Sequence, residues 1–214
     1  MPLKILGTLL AVPLAFSLPS ANAAVIHGDV SLPKTNGRSL RTADVVVWLE
    51  KVPEKVERRL ESGSRRWFWQ KSRGPQSIPS LHEVGRKFEP RVVAVPTGRP
   101  LVIRNRDTVW HGAFSVSKGA AFELGKRPPG GVDTVRFARP GVVAMRCDIY
   151  PQMSGYVVVT PNHAYARPDS NGYWHLPSVP SGTYVLHAWH PDRSEIQRQV
   201  RMPARGDTLV ALHW

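Results

Sequence analysis

Cysteine occurs once in the 214 residues, at Cys147. It stands in the stretch from Pro140 to Val159, where Val142-Val143-Ala144-Met145-Arg146-Cys147 leads into Asp148-Ile149-Tyr150-Pro151-Gln152. The chain leaves that loop through Tyr156-Val157-Val158-Val159, a strand–loop–strand pattern with turn formers in the middle. Met153 lies in the loop, six residues beyond the cysteine. A thiolate and a thioether brought together in this way are soft donors, and soft donors favour copper over magnesium, calcium or manganese. A buried, inert thiol is the plain alternative, because burial is common for cysteine. With no second cysteine there is no intrachain disulfide.

The surrounding segments must position that loop, and their pattern is β throughout. Phe88 to Gly98 reads as a strand closed by a turn, and Leu101 to Asp107 as a second strand ending in polar residues. His111 follows within Trp110-His111-Gly112-Ala113-Phe114. Phe122 to Gly125, the turn Arg127-Pro128-Pro129-Gly130-Gly131 and the alternating Val132 to Phe137 complete the block. Short strands with Pro and Gly between them predict a sandwich or barrel.

The ends of the chain are β-rich as well. Val25 to Leu32 alternates, Lys34-Thr35-Asn36-Gly37 makes a turn, and Val45-Val46-Val47-Trp48-Leu49 has the form of a buried strand. After Thr160, Ala166 to Leu176 is a turn entering a strand, and Val179 to His190 continues it. Gln199 to Met202 and Thr208 to Leu212 supply closing strands. Residues 53–77 differ: Glu54 to Leu60 has room for a turn or two of helix, and Arg65-Arg66-Trp67-Phe68-Trp69-Gln70-Lys71 is basic and aromatic. Composition favours a solvated connector there, with docking to lipid head groups, glycan or a partner protein as the alternative.

Met1 to Ala23 has a targeting pattern: Lys4, an apolar core from Ile5 to Leu18, and small residues at Ala21-Asn22-Ala23 before a cleavage point. The expectation is a cleaved leader and an exported, periplasmic chain that does not span the membrane, the apolar run being too short. The whole chain carries a net charge of +13. Such a field attracts acidic partners, here an acidic envelope surface or a periplasmic redox partner. No nucleic-acid motif accompanies it, so nucleic acid is not expected as a partner.

An ordered run of features within residues 78–160 is similar to the plastocyanin-like domain of periplasmic methylamine-utilisation-like proteins. It comprises Phe88-x-Pro90, Pro96-x-Gly98, Asn105-x-Asp107-x3-His111, Phe122-x-Leu124-Gly125, Pro140-Gly141-Val142-Val143, and Cys147-Asp148-Ile149 through Val159. The loop Cys147-x2-Tyr150-x2-Met153 resembles the short amicyanin-like ligand loop of cupredoxins, Cys-x2-His-x2-Met. The ends resemble the halves of a carboxypeptidase-regulatory-like (transthyretin-like) sandwich, with Val179-Pro180-Ser181-Gly182-Thr183-Tyr184 as its signature. The implied fold is all-β, a cupredoxin-like Greek-key sandwich inserted in or packed beside a small regulatory-like sandwich. The implied division is a leader at 1–23, one half-sandwich at 24–52, a basic linker at 53–77, the cupredoxin-like domain at 78–160 and the second half at 161–214.

The resemblance implies His111, Cys147 and Met153 as copper ligands and puts Tyr150 where the family has its second histidine. A neutral phenol is a poor ligand, and a phenolate is a hard donor that favours Cu(II) over Cu(I). Three outcomes follow: copper held by His111, Cys147 and Met153 with Tyr150 or water completing the set; a substitute histidine, His82 just before the first strand or His163 just after the last; or a fold kept without its metal. His187 and His190 read as structural or surface residues. No nucleophile elbow, H-E-x-x-H or phosphate loop is present, so no enzyme is expected. The two readings are a copper protein for electron transfer or copper carriage, and a metal-free β-sandwich interaction module binding an envelope partner or cell-surface polymer.

Overall fold

The structure, a computed structural model, describes residues 24–34, 37, 39–62 and 78–214. The leader Met1–Ala23, the Thr35-Asn36 part of the first turn and the Arg65–Lys71 cluster lie outside the described residues.

Strands β1 (Ile26–Ser31) and β2 (Val46–Leu49) lead into a two-turn helix, α1 (Glu54–Glu61). A central run follows: β3 (Ser80–Val84), β4 (Lys87–Glu89), β5 (Val92–Pro96), β6 (Pro100–Asn105), β7 (Ala113–Ser115) and β8 (Phe122–Glu123). It continues through β9 (Val132–Arg136), β10 (Gly141–Cys147) and β11 (Ser154–Thr160). The chain closes with β12 (Tyr165–Ala166), β13 (Tyr173–His175), β14 (Gly182–Trp189), β15 (Ile196–Met202) and β16 (Thr208–His213).

These strands form four sheets, ordered β13-β1-β16, β12-β2-β14-β15, β5-β11-β10-β7-β8 and β4-β3-β6-β9. The first two draw only on the chain ends, and the last two only on the central run. The described residues are therefore nearly all β, with one sandwich inserted in the chain of another. The central sandwich closes over Leu81, Phe88, Val93, Val95, Leu101, Ile103, Val143, Met145 and Val157. The outer one closes over Ile26, Val47, Leu49, Trp174, Leu186 and Leu212.

Phe88 to Gly98 is two strands rather than one. Lys87–Glu89 pairs with β3, while Val92–Pro96 crosses to the opposite sheet and runs parallel to β11. Pro90 stands at the break, and a residue without an N–H cannot continue a ladder. The strand switch lets one short segment close both sheets of the sandwich.

The run Val45 to Leu49 has every residue buried because its two faces serve different cores. Val45, Val47 and Leu49 enter the outer sandwich, while Val46 and Trp48 meet Val92, Ala94 and Val158 of the central one. The two sandwiches thus stack through β2, β5 and β11, and Tyr156 and Trp189 pack edge to face at 5.4 Å beside that contact. Helix α1 is fastened by Glu57, whose Oε1 lies 2.6 Å from Nδ1 of His163 and whose Oε2 accepts the His163 N–H at 3.0 Å. No helix among the described residues is long and apolar enough to cross a membrane.

Candidate metal centre

Strand β10 alternates, sending Val143, Met145 and Cys147 into the core and Arg146 outward. Its last residue, Cys147, is paired with Ala113 at the start of β7. His111 lies two residues before that partner, so pairing of β10 with β7 brings the imidazole to the thiol. The contact continues past the strand, where the Asp148 N–H donates to the Gly112 carbonyl at 3.0 Å. On the other side β10 pairs with β11 up to Arg146 opposite Ser154, which closes the Cys147–Met153 loop. Within it the Met153 N–H donates to the Tyr150 carbonyl at 2.9 Å, and the Met153 side chain is buried in the central core.

The His111 side is built on Asn105. Its amide Nδ2 donates to the Val109 carbonyl at 2.8 Å and to the Arg127 carbonyl at 3.2 Å, while its Oδ1 accepts the Asp107 N–H at 2.9 Å. His111 and Arg127 exchange backbone hydrogen bonds at 3.1 and 2.7 Å. The Arg127 guanidinium runs beneath this loop to Glu83 and to Asp133, the latter at 3.1 Å. Glu83 is wholly enclosed, and burial pushes its carboxyl up against the opposing charges of Arg127 and His111.

The ring of His111 is engaged at both nitrogens. Nε2 lies 3.1 Å from Oδ2 of Asp107, and Nδ1 faces Sγ of Cys147 at 3.8 Å. Asp107 is itself fixed by the Arg86 N–H, which donates to Oδ2 at 2.8 Å. That backbone bond, with the His111 ring and against the pull of burial, holds the Asp107 carboxyl below the ordinary carboxylate range. An ionised carboxylate on Nε2 keeps the proton there and leaves the Nδ1 lone pair aimed at the sulfur, the second-sphere arrangement of metal-bound histidine.

His111 and Cys147 fit a shared metal ion in type and spacing, and Met153 is buried in the same core. Nδ1 of His111 and Sγ of Cys147, 3.8 Å apart, are close enough that both would reach one ion. His111, Cys147 and Met153 are 0%, 3% and 1% exposed, so the set is shielded from water. Among the described residues no group of three or more His, Cys, Asp and Glu side chains converges as metal donors.

Tyr150 is half-buried, its ring edge-to-face with His111 at 5.2 Å and the Arg86 guanidinium 5.0 Å from its centroid. The substitute histidines are elsewhere. His82 lies within β3, not before it, and points away from the core while Leu81 and Glu83 point in; its ring faces Ser80 Oγ at 3.5 Å. His163 is bound to Glu57 on α1. His187, stacked on Trp48 at 5.1 Å, hydrogen-bonds Glu195 at 2.6 Å.

Arg86, Glu83 and Arg127 were not singled out from sequence. Arg86 sits at φ 56° in the β3–β4 turn, for which Gly85-Arg86 was a signal. The Glu83–Arg127 pair joins residues 44 apart and had none.

No protein-family model matches the sequence, and no curated protein matches it closely enough to count as a relative. Among solved structures, the chain is similar to a copper-containing nitrite reductase from Thermus scotoductus at 24% identity and a TM-score of 0.37, covering 39% of this chain and 22% of that one. It is similar to a purple cupredoxin from Nitrosopumilus maritimus at 20% identity and 0.35, covering 38% and 99%. A Cu(I) form of an amicyanin variant matches at 22% identity and 0.36, covering 38% and 81%. The chain thus spans about a fifth of the nitrite reductase. Likeness of this degree assigns neither ligand nor activity.

Proposed function

We infer that this chain is an exported, non-catalytic copper-binding protein in which His111, Cys147 and Met153 hold the metal and Tyr150 stands at the second histidine's place. The observation that carries the reading is the His111 ring, with Nε2 tied to Asp107 and Nδ1 facing the Cys147 sulfur at 3.8 Å. A pair of inert core residues has no need of an anchored carboxylate that fixes the tautomer. One imidazole, one thiolate and one thioether form a soft donor set, which favours Cu(I). Bound copper would supply one-electron exchange or serve as the cargo itself.

The chain's own residues do the rest. Asp107 and Asn105 orient the imidazole, the β10–β7 pairing sets the sulfur beside it, and the core around Met153 excludes water. Tyr150, in contact with both His111 and Arg86, packs beside the imidazole and adds no second one. The reading is therefore of copper carriage, or of electron transfer by a site biased towards the reduced ion. The net charge of +13 suits an acidic redox partner or an acidic envelope surface.

The test is copper loading of the purified chain in both oxidation states, with stoichiometry, visible and EPR spectra, in wild type, Cys147→Ser and Tyr150→His. Expected are one buried equivalent of Cu(I), lost in Cys147→Ser, and a stronger thiolate-to-copper band with Cu(II) in Tyr150→His. No stoichiometric Cu(I) uptake by the wild type, with a thiolate-to-copper band only in Tyr150→His, would leave the metal-free interaction module as the function.

A further inference from the structure

The outermost sheet, β13-β1-β16, carries imidazoles of its own, remote in sequence and in sheet from Cys147. Strand β1 alternates Ile26, Gly28 and Val30 inward against His27, Asp29 and Ser31 outward. On β13 Trp174 is buried, which turns Tyr173 and His175 to the same outer face. The antiparallel register sets His27 directly opposite His175, and Asp29 opposite Tyr173.

The hydrogen bonds decide how close those pairs stand. The Leu176 N–H donates to the Ile26 carbonyl at 2.8 Å and the Val30 N–H to the Gly172 carbonyl at 2.9 Å. These bonds mark Ile26–Leu176 and Val30–Gly172 as hydrogen-bonded pairs. His27–His175 and Asp29–Tyr173 are then the non-hydrogen-bonded pairs, in which facing side chains approach most closely. Cβ atoms about 4.5–5.5 Å apart let two imidazoles reach one ion at about 2.0 Å each. Tyr173 packs on both rings, with centroids 6.1 Å from His27 and 6.3 Å from His175, and its Oη lies 3.4 Å from Nδ1 of His27. With Nδ1–H donating to Oη, Nε2 of His27 carries the lone pair that would meet an ion.

We propose that His27 and His175 form a second metal site, a two-imidazole chelate for a divalent first-row transition-metal ion on the outer face of the flanking sandwich. Water completes the coordination, and the carboxylate of Asp29 stands on the same face. Imidazole donors suit copper(II), nickel(II) and zinc(II), and copper(II) is held most tightly in the general affinity order. The site shares no residue with the His111–Cys147 centre and uses neither of its soft donors.

The test is calorimetric titration of the untagged chain carrying Cys147→Ser, which removes the other centre's thiolate, with Cu(II) and then Zn(II), alongside Cu(II) EPR. Expected are one Cu(II) equivalent with an axial, colourless-type spectrum and coupling to two nitrogens. Affinity should fall about 100-fold in His27→Gln and in His175→Gln alike, because each removes the intramolecular second donor. Glutamine retains the size of the half-buried ring, and an unchanged circular dichroism spectrum shows the fold intact. His213→Gln is the control: His213 lies opposite Ser31 on β16, four residues along the same face and about 13 Å away. Absence of binding in Cys147→Ser, equal affinity in the His27 and His175 variants and their parent, or an equal loss in His213→Gln would overturn the proposal.

Discussion

The chemistry proposed for the centre rests on which nitrogen of one ring carries a proton. His111 has Nε2 against Asp107 and Nδ1 against Cys147, so removing the carboxylate frees the proton to move to Nδ1, where it blocks the donor. We expect Asp107→Ala to lower Cu(I) affinity about 10- to 100-fold, the usual effect of losing such an outer partner. Competition against a chromophoric Cu(I) chelator measures it, and an unchanged affinity would mean that the carboxylate does not set the tautomer. The same residue explains a motif visible in the sequence. Asn105-x-Asp107-x3-His111 is a loop in which the first residue bonds the loop's own backbone, the second fixes the ring, and the third presents it. The spacing was legible, but the division of roles needed the coordinates. Arg86 was hidden for a similar reason, since its contact with Tyr150 depends on a turn that brings two distant loops together.

At the scale of the strand, close approach matters more than propensity. A Cβ on Gly28 would lie 1.8 Å from the Val210 carbonyl oxygen, part of the backbone of β16, and 2.9 Å from the Trp174 ring. A Cβ on Gly112 would lie 2.0 Å from Oδ1 of Asp148, a side chain free to swing away. Gly28→Ala should therefore destabilise by about 3 kcal/mol and Gly112→Ala by about 1 kcal/mol. Urea unfolding of the two variants checks the ranking, and equal losses would refute it. Helix α1 gives a pH test. Burial works to raise the Glu57 carboxyl, but hydrogen bonds and charge from His163 outweigh it, and the net position is below the ordinary 4.5. A depressed carboxylate contributes stability above its unfolded value, and that contribution is lost as pH falls through the folded one. Docking of α1 should accordingly weaken below about pH 4.5, seen as hydrogen-exchange protection of 54–61, corrected for the intrinsic pH dependence, falling on acidification in wild type but unchanged in Glu57→Gln. The helix itself was readable from Glu54 to Leu60. Its tether was not, because Glu57 and His163 are 106 residues apart.

The whole molecule is a stack of two sandwiches joined through strands buried on both faces. Sequence alone made Val45 to Leu49 a buried strand and the Val92–Val95 run part of another, and both readings hold. What it could not supply is the partner of each outward face. A continuous apolar run is compatible with any core, and only the structure shows Val46 and Trp48 lying against Val92, Ala94 and Val158. The chain also crosses from one sandwich to the other twice, before β3 and after β11, so the two cannot separate without exposing this contact. We expect one cooperative thermal transition for the wild type. Ala94→Asp puts an unpaired charge into the contact, at a cost of about 3–5 kcal/mol, while leaving the inward core residues Val93 and Val95 in place. That variant should unfold in two resolved steps by calorimetry. Copper uptake should persist through the first of them, because His111, Cys147 and Met153 all hang from the central sandwich. Two steps already present in the wild type, or a single step retained in Ala94→Asp, would show that the sandwiches are not coupled through this face.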